Sequence, residues 1–285
     1  MKLIRFGEAG KEKPGIFLND VYYDVSSGWE DYNESFFENG GIERLKLFVG
    51  QHLSSLPVLP ADIRLGSPVA RPSKIVCVGL NYADHARETS ASIPVEPVIF
   101  LKSTSALCGP FDNIVIPENS EKTDWEVELA VVIGKKASYV DEAQAISYVA
   151  GYCLHNDVSE RAYQLERGGT WDKGKGCDTF APIGPWMVTA DEIRDANNLR
   201  LWLKVNGQIM QDGTTADFIF RVPQIISYIS RFMTLLPGDI ISTGTPAGVG
   251  LGMSPQLYLK PHDIVELGID GLGVSRQTCI AYGAN

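Results

Sequence analysis

Asp124-Trp125-Glu126-Val127-Glu128-Leu129-Ala130-Val131-Val132-Ile133, closed by Gly134, reads as a β-strand. Branched apolar residues dominate its second half, and Gly134 with Lys135-Lys136 ends it. Side chains alternate faces along a strand, so Glu126 and Glu128 point the same way, roughly 7 Å apart. Trp125, Val127 and Leu129 take the other face, toward a core. Two carboxylates side by side on an apolar strand repel each other, and burial raises their pKa values. A bound cation offsets that; so do solvent or Lys and Arg partners, which are commoner for a bare Glu-x-Glu. A second acidic residue after another apolar run favours the cation: Asp157 closes Tyr148-Val149-Ala150-Gly151-Tyr152-Cys153-Leu154-His155-Asn156-Asp157. Three carboxylates at strand positions could make one all-oxygen site, which suits Mg²⁺, Mn²⁺ or Ca²⁺ better than zinc.

Upstream, Ile75-Val76-Cys77-Val78-Gly79-Leu80 is a fully apolar strand running into Asn81-Tyr82-Ala83-Asp84-His85-Ala86-Arg87-Glu88. Asn81 can cap a short helix there. His85 and Glu88 are three apart, hence neighbours on one helical face. A carboxylate beside an imidazole raises its basicity and fixes its tautomer, as a general base requires, although an ordinary surface His–Glu pair has the same spacing. Pro97 to Lys102 is a further strand ending in a lysine. Still further upstream, residues 1–25 alternate short strands with turns, and Asn19-Asp20 joins a hairpin. Ile42, Leu45, Leu47, Phe48 and Leu53 recur near helical spacing. Pro57, Pro60, Pro68 and Pro72 punctuate a linker, which places a boundary near residue 70 between a small domain (1–70) and a large one (71–285).

Downstream, Asp141 to Val149 is expected to be helical, with Ala143, Ile146 and Val149 inward. Arg161 and Gln164 are three apart. Gly168 to Phe180 is a Gly-rich loop with two lysines, Lys173 and Lys175, but lacks the P-loop spacing; its lysines either meet an anion or face solvent. Leu201 to Gln211 turns at Asn206-Gly207, a strong hairpin signal. Val222 to Leu236 holds a helix with Ile225, Ile226, Ile229, Phe232 and Met233 as a core stripe. The strand at Ile240 ends in Thr243-Gly244-Thr245, whose amides and hydroxyls suit an anion or a carbonyl oxygen.

The 285 residues, 44% hydrophobic, are enough for a sizeable core. Lys and Arg total 25 against 35 Asp and Glu, a net charge of −10 that argues against nucleic acid or an anionic membrane as partner. An anionic substrate would need a local cation to reverse that field. Five widely spaced cysteines read as free thiols in a reducing compartment. The start carries no secretory signal and no apolar run approaches a membrane span, so a cytoplasmic location is expected.

Asn81-Tyr82-x-x-His85-x-x-Glu88, Asp124-Trp125-Glu126-Val127-Glu128-Leu129, Gly151-Tyr152 with Asn156-Asp157-Val158-Ser159-x-Arg161-x-x-Gln164, Gly174-Lys175-x-x-Asp178-Thr179-Phe180, and Gly238-Asp239-x-Ile241-x-Thr243-Gly244-Thr245-Pro246-x-Gly248-Val249-Gly250 together resemble the fumarylacetoacetate hydrolase family over roughly residues 70–280. The resemblance implies an α+β, mainly β fold: a mixed β-sheet roll preceded by a small N-terminal α+β domain, in a homodimer. It implies a divalent ion, normally Mg²⁺, on Glu126, Glu128 and Asp157. It casts His85, oriented by Glu88, as the base that activates water to attack a carbonyl of a small anionic 2-oxo acid. The C–C bond then breaks toward an enolate stabilised by the Lewis-acidic ion. By the same resemblance Lys175 supports that charge, Arg161 and Gln164 contact substrate, and Lys102 and Thr245 are secondary contacts. The His85 segment acts as a lid in this family. The stretch from Gln164 to Lys175 looks most like members that hydrolyse 2,4-diketo-3-deoxy sugar acids of the rhamnonate or fuconate type. Acylpyruvate hydrolysis, oxaloacetate decarboxylation and a ureidoglycolate-type lyase reaction are the alternatives. A non-catalytic binding protein is disfavoured because the histidine and all three carboxylates are present.

Overall fold

In the computed structural model, which describes residues 1–284, the Glu-x-Glu stretch divides in two. Thr123–Asp124 pairs with Ser159–Glu160, and Val127–Ile133 forms the longer strand. The expected single strand is broken at Trp125 and Glu126, whose amides bond side chains, one adjacent and one distant in sequence. Asp124 Oδ1 accepts from the Trp125 amide at 2.9 Å, and Asn156 Oδ1 accepts from the Glu126 amide at 3.2 Å.

Val127–Ile133 lies inside a ten-stranded sheet. Its neighbours are Val149–Asn156 on one side and Ile240–Ser242 on the other, both antiparallel. Beyond Ile240–Ser242 come Ile75–Gly79, parallel to it, and Val98–Lys102. On the far side Met187–Thr189 joins Val149–Asn156 to Lys2–Phe6, then Lys13–Leu18 and Val21–Asp24. Every residue of Val127–Ile133 is buried, as expected for a strand covered on both faces. A second sheet, Gln208–Thr214, Arg200–Val205, Ile264–Ile269, Gly273–Ala281 and Ile114–Ile116, packs into the same core. Gln211 stitches the two sheets: its Oε1 accepts from the Val127 amide at 2.9 Å, and its Nε2 donates to Thr245 Oγ1 at 2.8 Å.

The fold is mixed α+β and mainly sheet, as expected. The boundary near residue 70 falls in connecting chain between Leu65–Gly66 and Ile75–Gly79, and the large sheet runs across it through the pairing of Leu3 with Met187. Both hairpins form, with Asn19, Asp20, Asn206 and Gly207 at positive φ as tight primed turns require.

Several local expectations change. Glu142–Tyr148 is a 3₁₀ helix rather than an α-helix; Ala145 is its buried residue and Ile146 is exposed, because Val149 is drawn into the sheet. The later helix stops at Ile229. There Ser230 Oγ donates to Ser227 O and accepts from the Val140 amide, so Phe232 leaves the stripe and faces solvent while Ile225, Ile226 and Ile229 stay buried. Leu47 lies on the exposed side of Gly41–His52. Asn81 caps nothing: its side chain accepts from the Phe220 amide and donates to the carbonyls of Phe220 and Thr243, tying two loops together.

Candidate active site

Pairing of Val127–Ile133 with Val149–Asn156 sets Val127 opposite Asn156 and Glu128 opposite His155. The Asp157 amide then donates to Glu126 O at 2.9 Å, which holds the end of one strand against the start of the other. As a result one carboxylate oxygen from each of Glu126, Glu128 and Asp157 lies within 4.8 Å of the others, all on buried residues.

The partners of the three differ. Glu126 meets Arg161 Nη2 at 2.7 Å and Lys175 Nζ at 2.6 Å. Asp157 meets Lys102 Nζ at 2.5 Å and Lys175 Nζ at 3.0 Å. Glu128 forms no ion pair among the described residues; Ser242 Oγ (2.5 Å) and the Gly244 amide (2.9 Å) donate to its Oε2. The two ways of offsetting clustered carboxylates therefore coexist, basic partners at two positions and none at the third. Burial, reinforced by the charges of Asp157 and Glu126, pushes the Glu128 carboxyl well above the usual carboxylate range. Burial works the same way on Glu126, but Lys175 and Arg161 outweigh it and hold that carboxyl low. Asp157 is likewise held low, by Lys102 and Lys175 against its burial. Burial disfavours the Lys175 ammonium, yet Asp157 and Glu126 outweigh it and keep the proton on.

With Asp124, the buried cluster holds four carboxylates against Lys102, Arg161 and Lys175. The surplus negative charge sits on Glu128 when it ionises. A divalent cation among these oxygens would remove that surplus, and the all-oxygen donor set suits a hard ion. Glu126, Glu128 and Asp157 thus fit a metal.

His85 and Glu88 lie on Ala83–Glu88, where His85 Nδ1 is 2.8 Å from Glu88 Oε1. Glu88 Oε2 accepts from the Gly248 amide at 2.9 Å, which anchors the dyad to the loop 248–252. Asp124 grips the same loop from the other side, accepting from the Gly250 amide at 2.7 Å and the Leu251 amide at 3.0 Å. It also accepts from Arg161 Nε at 2.8 Å. Asp124 belongs to the opening motif, yet its role as the link between the loop and the acidic cluster depends on contacts more than 120 residues away in sequence.

His85, Glu126, Glu128, Arg161, Gln164, Lys175 and Thr245 line one cavity of about 170 Å³. Lys102 does not line it. Its buried ammonium faces Asp157 and the Val158 carbonyl from outside that cavity, so it is not placed to touch a substrate there. Thr245 Oγ1 donates to Val127 O at 2.9 Å and accepts from Gln211, so its hydroxyl proton serves the backbone. Arg161 is engaged by Asp124 and Glu126, and its Nη1 donates to Gln164 Oε1 at 3.0 Å; it orients Glu126 rather than standing free to grip an anion. The Gly244 amide likewise serves Glu128, an internal carboxylate, not an external anion. Residues with no motif of their own complete the wall, among them Phe100 and Trp171, whose ring centroids lie 5.3 Å apart, edge to face. The signal for Trp171 is indirect: a Cβ on Gly79 would stand 2.6 Å from its ring.

The sequence model of the family described as Fumarylacetoacetate (FAA) hydrolase C-terminal matches residues 74–280. The chain belongs to the fumarylacetoacetate hydrolase family. A relative in Burkholderia ambifaria, named only as a candidate hydrolase, is 51% identical over 280 residues, 98% of each chain. Among solved structures of the family fold, a fumarylacetoacetate hydrolase from Exiguobacterium antarcticum superposes with a TM-score of 0.84 at 34% identity, covering 99% of both chains. Maleylpyruvate hydrolase from a Sphingobium species, in complex with manganese(II) and pyruvate, gives 0.82 at 31% identity, again over 99% of both. A 2-hydroxyhepta-2,4-diene-1,7-dioate isomerase from Mycobacterium marinum gives 0.78 at 33% identity over the full length of both. The family fold in this chain therefore matches that of hydrolases and of an isomerase. Among the described residues no helix is long and apolar enough to cross a membrane.

Proposed function

We propose that this chain cleaves a C–C bond of a 2,4-diketo acid, releasing a pyruvate-type product and a carboxylic acid, with a divalent cation on Glu126, Glu128 and Asp157. The observation that carries this is Glu128: a buried carboxylate with no ion-pair partner among the described residues, on the wall of a cavity that His85 also lines, with Glu88 bonded behind it. Manganese and pyruvate in the Sphingobium hydrolase support the same head-group chemistry. Mg²⁺ is the proposed ion, with Mn²⁺ or Ca²⁺ as alternatives. The proposed substrate is a 2,4-diketo-3-deoxy sugar acid of rhamnonate or fuconate type, with an acylpyruvate second.

When bound, the ion supplies a Lewis acid for the 2-oxo acid head and for the charge that develops there. The chain's own groups do the rest. Glu88 holds His85 through Nδ1, which leaves Nε2 to take a proton from water and return it to the departing carbon. Lys175 stays protonated between Glu126 and Asp157 and adds positive charge beside the head group. The Gln164 amide, fixed through its Oε1 by Arg161, offers its NH₂ to a substrate oxygen. We further propose a cytoplasmic homodimer without nucleic-acid or membrane partners, consistent with the net charge of −10; sedimentation at micromolar protein checks the dimer.

The deciding experiment is incubation with Mg²⁺ and a panel of acylpyruvates, oxaloacetate and a 2,4-diketo-3-deoxy sugar acid. Pyruvate release from a diketo acid, lost in His85→Ala, is expected. No pyruvate from any diketo acid overturns the proposal. Release of CO₂ from oxaloacetate alone, undiminished in His85→Ala, would instead support a decarboxylase that needs no attacking water.

A further inference from the structure

We infer that the part of the substrate beyond the reacting carbonyl is uncharged and alkyl-ended, so that the pocket takes monocarboxylic diketo acids and rejects dicarboxylic ones. This rests on the hydrolase assignment above and narrows it.

Beside Glu126, Glu128, Arg161 and Lys175, the cavity is lined by Val78, Leu80, Phe100, Leu165, Trp171 and Leu251. Lys175 Nζ lies over the Phe100 ring, 5.0 Å from its centroid. Lys175 and Arg161, the basic groups that line the cavity, are each held between two protein carboxylates. Arg87, Arg167 and Lys173 are close in sequence to lining residues but lie outside the lining, and Lys173 donates to the Arg167 carbonyl at 2.7 Å. A second carboxylate that lost water among these apolar side chains would find no unpaired lysine or arginine in the described lining, which is unfavourable. A methyl or ethyl end would bury favourably there.

Trp171 lies against Gly79, where a Cβ would stand 2.6 Å from its ring, so the glycine leaves room for the indole on this wall. The lining also holds neutral polar groups that can serve a hydroxyl: the Gln164 amide, and the Thr89 hydroxyl, which donates to the His85 carbonyl at 2.9 Å and can still accept. A 6-deoxy sugar-derived diketo acid, with one hydroxyl and a terminal methyl, passes these tests. The dioate in the name of the Mycobacterium isomerase's substrate does not.

Titration calorimetry of the Mg²⁺-loaded protein with 2-oxopentanoate and 2-oxoglutarate isolates the tail, since the two differ at the chain end and neither is a diketo acid to be cleaved. We expect 2-oxopentanoate to bind at least tenfold more tightly. Leu165→Lys, at a half-exposed position on the cavity rim, should recover 2-oxoglutarate binding at least fivefold. Equal affinities, tighter 2-oxoglutarate, or no binding of either acid overturns the inference. Turnover is scored separately: should neither an alkyl nor a dicarboxylic diketo acid yield pyruvate, the hydrolase assignment falls while the calorimetry still decides what the pocket accepts.

Discussion

Glu128 is the side chain on which the proposed chemistry turns, because burial and its acidic neighbours favour its neutral form whenever no cation is present. Glutamine reproduces that neutral form and can still accept from Ser242 and Gly244. Glu128→Gln should therefore leave the melting temperature of the metal-free protein unchanged or raised, while weakening divalent-ion binding at least about 100-fold, the upper end of what even an outer partner of a metal site costs. Thermal melts with and without Mg²⁺ check both halves. Behind Glu128, His155 Nδ1 lies 2.6 Å from Ser242 Oγ, and burial pushes His155 down to about 3. Its folded pKa is thus below the unfolded value of about 6.5, so its contribution to stability is present above that value and is lost as pH falls from there toward 3. Glu128, whose carboxyl burial pushes up, changes the stability of the metal-free protein in the opposite sense over part of this window, so the His155 contribution is read as a difference. Relative to His155→Gln, the metal-free protein should lose stability as pH falls from about 6.5 toward 3, measured by chemical denaturation of both at a series of pH values.

At the scale of elements, the loop 248–252 joins the base to the acidic cluster. Glu88 holds it through Gly248, and Asp124 holds it through Gly250 and Leu251. A Cβ on Gly252 would come within 2.6 Å of the Glu88 carboxyl group. That atom is the far end of a flexible side chain, so Gly252→Ala should fold but swing Glu88 away from His85. The expected outcome is a fall in kcat of about tenfold or more, in line with losing an oriented general base, with the Mg²⁺-induced rise in melting temperature retained. Steady-state kinetics beside thermal melts separates this from a general loss of structure. Element identity was legible where a local rule governs it: the hairpins at Asn19-Asp20 and Asn206-Gly207, the apolar strand Ile75–Gly79, and the helical spacing of His85 and Glu88. It was not legible where distant groups intervene. At the break after Asp124 the Glu126 amide is taken by the Asn156 side chain, 30 residues on, and the early stop at Ile229 involves a hydrogen bond from the Val140 amide to Ser230 Oγ.

For the whole molecule, the acidic cluster costs stability that a bound ion would return. An ion that binds only the folded state adds about 2.7 kcal/mol at a hundred times its dissociation constant. The melting temperature should therefore rise with Mg²⁺ or Mn²⁺ concentration and fall back on chelation; calorimetry showing no shift up to millimolar ion would remove the metal from the proposal.

The sequence by itself determined the family and the class of fold, and it picked out the residues to which the proposed chemistry is assigned. Side-chain period, turn residues and the order of five short motifs are properties of the chain that survive without coordinates. Only the tertiary structure decided what each of those residues is paired with. Arg161 and Lys102 look like free cations in the sequence, but the sheet register and the loops around it set them against Asp124, Glu126 and Asp157. Glu128, one residue among three in the motif, is singled out by having no such partner. Charge pairing in a buried site depends on distances between segments far apart in the chain, and those distances exist only after the sheets have closed.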